Sequence, residues 1–187
     1  MLTLDNGTIT GNATGAEGES SLLGLGESGD GGGISSVVTT TIQVRNTILA
    51  GNVSAHAGPD CSGTLTSAGY NLIQAVSGCT IGGDTAGNLV GVDPGLLPLA
   101  DNGGSTWTHA LRPGSPAVDA GSCTSSDGAV SVVDQRDTER PLGVTCDIGA
   151  YEAPVFPKAY RPVVLRWPHP QVEIAFICCL LSTFSHK

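Results

Sequence analysis

Lysine is missing from the first 157 residues of this 187-residue chain, and Arg45 is the one cation among residues 1–111. Nine acids share that stretch, which leaves it at −8. A body of that sign repels phosphate backbones and argues against nucleic acid as a partner. Aromatic residues are 4% of the chain and there is one Met. The strong helix formers Glu, Lys, Arg and Met are scarce, which argues against a helix bundle or coiled coil. The longest apolar run, Val172 to Leu181, contains Glu173. It is shorter than the ~20 residues of a membrane helix, so no membrane span is read in this chain. Met1 leads straight into Leu2-Thr3-Leu4 with no basic or apolar leader, so the chain reads as the C-terminal fragment of a longer protein. No C-x-x-C, G-x-x-x-x-G-K-[ST], H-E-x-x-H or G-x-S-x-G occurs, which leaves zinc, phosphate-loop and nucleophile-elbow chemistry without support. Gly24-Leu-Gly-Glu-Ser-Gly29 fits G-x-G-x-x-G, but lacks the strand before it and the helix after it.

What is plentiful is Gly, 27 of 187 residues, about twice the usual ~7%, together with Ser, Thr, Val and Asn. These residues are arranged in a repeat. Leu2-Thr-Leu-Asp-Asn-Gly-Thr-Ile-Thr-Gly-Asn-Ala-Thr14 aligns with Ile42-Gln-Val-Arg-Asn-Thr-Ile-Leu-Ala-Gly-Asn-Val-Ser54. Asn6/Asn46, Gly11/Gly51 and Asn12/Asn52 are identical. Each copy reads as a short strand, an Asn at a sharp bend, a second short strand and a Gly-Asn turn. Asn suits the bend because it tolerates the left-handed backbone region. Short strands at fixed intervals, with bends between them and no helices, predict an all-β fold. The chain winds as a coil and pairs each level with the next: a parallel β-helix, or solenoid, of about three to four rungs. Further rungs are read at Thr64–Thr66 with Tyr70–Ile73, and at Gly78–Ile81 with Asn88–Val90.

Three regions follow from this reading. Residues 1–92 form the rungs, interrupted by a Glu- and Gly-rich loop at 15–33 that re-enters a strand at Gly33-Ile34-Ser35 and continues through Val37-Val38. In residues 93–152, Pro94, Pro98, Pro113, Pro116 and Pro141 interrupt regular pairing, which predicts an irregular cap over the open end of the solenoid. Residues 153–187 hold five more prolines, then an apolar end, and predict a weakly ordered tail.

The candidate chemistry is sparse. Cys61 with Cys79, and Cys123 with Cys146, are spaced for two local bridges closing loops of 18 and 23 residues. The alternative is four buried free thiols, and Cys178-Cys179 read as free. Bridges imply an oxidising compartment. Asp119, Asp134, Asp137, Glu139, Asp147 and Glu152 form an acid-rich segment with Arg136 and Arg140. Asp119, Asp134 and Asp147 are the candidate Ca²⁺ or acid/base residues. The alternating signs favour a salt-bridged cap in which Arg136 and Arg140 satisfy Asp119 and Asp147. No catalytic and no cofactor-binding residue is assigned. Alternation places Trp107, His109 and Leu111 on one packed face, and His56 falls in an exposed Gly/Ala loop. The sequons at Asn6, Asn12 and Asn52 reflect the repeated bend.

Several runs occur in a recognisable order: Asn46-Thr-Ile-Leu-Ala-Gly-Asn52, Pro59-Asp-Cys-Ser-Gly-Thr64, Gly69-Tyr-Asn-Leu-Ile73, Val92-Asp-Pro-Gly95 through Gly104, Thr108 through Gly121, Asp134-Gln-Arg136, and Cys146-Asp-Ile-Gly-Ala-Tyr-Glu152. Over residues 1 to about 152 the chain resembles the C-terminal region of bacterial choice-of-anchor Q domain proteins. That resemblance implies a pectin-lyase-like right-handed parallel β-helix, secreted or displayed at the cell surface. The expected role is a non-catalytic stalk or interaction module without cofactor, with surface glycans or other surface proteins as candidate partners. The alternatives are a polysaccharide lyase or hydrolase remnant and a carbohydrate-binding module on the same fold. Fold alone does not choose among them.

Overall fold

The structure, a computed structural model, describes residues 1–15, 29–36 and 40–155. Most of the 15–33 loop, the continuation at Val37-Val38, and residues 156–187, with most of the expected tail and Cys178-Cys179, lie outside the described residues.

The described residues are all-β. Strands β1 (Leu2–Asp5) and β2 (Thr8–Thr10) are followed by β3 (Ile34–Ser35), β4 (Ile42–Arg45), β5 (Ile48–Ala50), β6 (Cys61–Ala68), β7 (Leu72–Ile73), β8 (Cys79–Asp84) and β9 (Leu89–Val90). Apart from β3, successive strands of the chain go to two parallel sheets in alternation. The first joins β1, β4, β6 and β8, with β3 on the same edge of β6 as β4; the second joins β2, β5, β7 and β9. The register follows the sequence repeat: Leu2 faces Ile42, Leu4 faces Val44, and Ile9 faces Leu49.

The corner between the two sheets explains why Asn recurs. Asn6 and Asn46 both hold positive φ, 53° and 48°. Their side chains bond across levels, Asn46 Nδ2 donating to Asn6 Oδ1 at 2.7 Å. Asn12 and Asn52 repeat the pattern at the next bend, Nδ2 to Oδ1 at 3.0 Å. Asn71 and Asn88 continue it, with the Asn71 backbone N–H donating to Asn88 Oδ1 at 2.8 Å. Backbone groups freed at each bend thus find partners in the level above or below.

Ile34, Ile42, Val44, Leu49, Cys61, Leu65 and Ile73 form one apolar cluster. Because side chains alternate along a strand, Ile48 and Leu72 face the other way from Leu49 and Ile73. They are nevertheless buried, at 1% and 0% exposure. The later part of the chain covers them. A Cβ at Gly149 would fall 2.7 Å from Ile48 Cδ1, so only a glycine backbone passes that close. The Gly149 N–H donates to the Asn46 carbonyl at 2.9 Å, and the Ala150 N–H donates to Thr8 Oγ1 at 3.1 Å.

These contacts place part of the later segment against β5 and the Asn6–Asn46 corner. Gly121, Ser122, Asp147, Gly149 and Ala150 make the contacts with Asn46, Ile48 and Thr8. Residues after 93 form a hairpin of β10 (Leu96–Ala100) and β11 (Thr108–Leu111), then irregular turns. The hairpin is antiparallel and shifts register between Leu96 and Leu99, around Pro98, which has no N–H to donate. Packing against β5 is favoured because a sheet made of Ile48 and Leu72 on one side and Leu49 and Ile73 on the other needs burial on both faces. Among the described residues, β1, β2, β8 and β9 each pair on one side only. One column of the first sheet carries an acid at each of these ends. Asp5 faces Arg45 and Ala68 faces Asp84, with Arg45 Nη1 bonded to the Ala68 carbonyl between them.

Candidate functional site

Two disulfides are present. Cys61 and Cys79 join neighbouring levels, β6 to β8, with Cα atoms 5.4 Å apart. Cys123 and Cys146 join two stretches of the later segment, 5.3 Å apart. Such bonds persist in oxidising surroundings. No helix among the described residues is long and apolar enough to cross a membrane.

The acid-rich segment is built around a tight turn. The Asp137 N–H donates to the Asp134 carbonyl at 3.1 Å, and Asp137 has a φ of 65°. The turn folds Arg136 back onto Asp134, with Nη2 2.6 Å from the Asp134 carboxylate. That carboxylate also accepts backbone N–H groups from Arg136, Thr138 and Glu152, at 2.7, 3.1 and 2.9 Å. Burial pushes the Asp134 pKa up, but these donors outweigh it and hold the group below the ordinary carboxylate range. The Arg136 guanidinium lies 3.6 Å from the centre of the Tyr151 ring.

Arg140 and Glu152 form a second pair, fully enclosed, 3.5 Å apart. Arg140 donates to the carbonyls of Asp147 and Gly149 at 3.1 and 2.6 Å, and its Nε has no partner. Burial lowers the Arg140 pKa and raises those of Glu152 and Asp147. Asp147 accepts the Asp119 and Ala153 N–H groups at 2.7 and 2.6 Å. Asp119 accepts those of Val144 and Thr145, at 2.6 and 3.1 Å.

The arginines thus satisfy Asp134 and Glu152, not Asp119 and Asp147 as the alternating signs suggested. The reason is local. Asp134 and Arg136 meet within one turn, whereas Asp119 and Asp147 are taken up by the backbone where their two loops cross. Asp119, Asp134 and Asp147 do not converge. Among the described residues, no group of three His, Cys, Asp or Glu side chains could hold a metal ion.

A groove lies beside Tyr151, between β2, the turn end of the β10–β11 hairpin and Gln135. It has a volume of about 310 Å³ and is bordered by Thr10, Asn12, Trp107, His109, Gln135 and Tyr151, among others. Trp107 does not pack with Leu111 as alternation suggested. It precedes β11, where Thr108, Ala110 and Leu111 are buried, and its side chain stays 63% exposed. His109 is held by Nδ1 against the Leu97 carbonyl at 2.8 Å. His56 is exposed, 3.2 Å from Asp30. A second cavity, of about 380 Å³, lies under the first corner between Leu4, Asp5, Gly7, Asp134 and Arg140.

The sequence pointed at the acids and treated Trp107 as packing. The signal that finds the groove is the neutrality of its lining, which no one-dimensional pattern carries. Compared with known proteins, the chain matches no family model, no curated protein and no solved structure.

Proposed function

We propose that the two parallel sheets are faces of a right-handed parallel β-helix, and that the chain is a non-catalytic module of an extracellular or cell-surface protein of the choice-of-anchor Q type. The 40-residue register, the Asn pairs stacked at the bends and the two disulfides support this reading. The right hand follows the general preference of parallel crossovers.

One observation carries the non-catalytic part. The Asp134, Asp147 and Glu152 carboxylates already accept hydrogen bonds from this chain's own N–H groups, and Asp134 also from Arg136. A group so engaged serves the fold and has little capacity left for a reacting proton. Purified protein incubated with acidic and neutral polysaccharides, with and without Ca²⁺, is expected to show no turnover. Turnover abolished by Asp119→Asn or Asp147→Asn would overturn the reading.

A further inference from the structure

We propose that the groove beside Trp107 binds an uncharged saccharide. This goes beyond the display role and does not depend on it.

The platform comes first. An indole left 63% exposed keeps a large apolar face in water. Its position is fixed from both sides. The Thr108 carbonyl accepts from Asn102 Nδ2 at 2.8 Å, and Gln135 Nε2 reaches Thr106 Oγ1 at 2.8 Å. A rigid aromatic face loses little entropy when a ligand covers it.

The polar groups around it share one character. His109 Nδ1 sits against a carbonyl, which only accepts, so that nitrogen carries a proton. Asn12 donates from Nδ2 to Asn52 Oδ1, leaving its own Oδ1 to accept. Gln135 donates from Nε2, leaving Oε1 to accept. Among the described residues, no Lys, Arg, Asp or Glu borders the groove. The site therefore offers an apolar plate ringed by uncharged polar groups, the Thr8, Thr10 and Thr108 hydroxyls among them, and its complement is a molecule with an apolar face and a rim of hydroxyls. A pyranose ring has that form. A phosphate, a uronate or a basic peptide would bring a charge that nothing in the lining answers. The volume is at the low end of the ~300–1,000 Å³ of small-molecule sites, which suits a short oligosaccharide.

Isothermal titration of the full chain with cellotetraose, xylotetraose, mannotetraose and, as the charged control, trigalacturonate tests the proposal. At least one neutral tetrasaccharide is expected to bind, with an affinity that changes little between low and high salt. Trp107→Ala should weaken it tenfold or more, and Gln135→Ala several-fold, with unchanged circular dichroism and melting temperature. Trp107→Phe should retain part of the affinity. Silence from all three neutral sugars at millimolar concentration, equal binding by Trp107→Ala, or a preference for trigalacturonate would each overturn it.

Discussion

Asn46 donates from Nδ2 to Oδ1 of Asn6 at 2.7 Å, and the two residues stand one above the other in the same left-handed bend, forty positions apart. Asn46 does more than stack. Nδ2 also donates to the Asp147 carbonyl at 2.9 Å, and Oδ1 accepts the Ser122 N–H at 2.9 Å. It therefore ties the Asn6–Asn46 corner to the later segment.

Asn46→Ala should be among the most damaging polar substitutions. It leaves positive φ without the polar side chain that lets Asn tolerate it and strands buried partners, a combined loss of about 3 kcal/mol. Asn46→Gly should recover about 1 kcal/mol of that, because glycine accepts the backbone conformation but not the hydrogen bonds. Asn6→Ala, at a partly exposed position, should cost less than Asn46→Ala. Urea midpoints of the three variants give the order.

Removing either disulfide should cost about 3 kcal/mol on the chain-entropy view, since the loops of 18 and 23 residues differ too little to separate the two. Double Cys→Ala variants at 61/79 and at 123/146 measure it in denaturant. Non-reducing peptide mapping should recover those two pairs, and a 61–146 or 79–123 peptide would contradict the geometry.

The buried acids give stability a pH dependence of mixed sign. Burial raises the folded pKa of Glu152 and of Asp147. Their favourable contribution is complete below the ordinary carboxylate range near about 4 and is lost as pH rises through the raised values. Asp134, whose folded pKa is lowered, behaves in the opposite way. Its contribution holds above the ordinary range and disappears only as the solution becomes more acid than that. Lowering the pH from neutrality toward the ordinary carboxylate range should therefore raise the melting temperature, and Glu152→Gln should flatten that slope. Equal slopes in the two proteins would count against the burial assigned to Glu152.

Leu49→Ala, in the inner cluster, should lose about 3 kcal/mol. Trp107→Ala should stay within about 0.5 kcal/mol of the unaltered protein, because a mostly exposed ring supports little of the fold. Matching losses at the two sites, measured by thermal unfolding, would show that Trp107 is packed.

What could be read in advance was whatever the chain repeats. The offset between Leu2 and Ile42 became their pairing, and Asn6 and Asn46 marked bends because few other residues tolerate that φ. The cysteine pairs were legible from spacing alone. Where the segment after 93 would lie was not, since Ala150 meets Thr8 across 142 positions with no shared pattern. The partners of Arg136 and Arg140 were misread for the same reason. Charge order along the chain suggests neighbours, but backbone N–H groups, invisible as sequence, took Asp119 and Asp147 first.

The acid at each end of the Asp5–Arg45–Ala68–Asp84 column bears on how two molecules could meet. A strand edge with no partner is a template for polymerisation. Docking in register would set Asp84 of one molecule against Asp5 of another at strand spacing, about 4.8 Å, where like charges in water repel by about 1 kcal/mol. Among the described residues, charge at this column therefore opposes such a meeting. Asp84→Asn should weaken that opposition, visible as increased light scattering at high protein concentration, and unchanged scattering would free these two carboxylates of that duty.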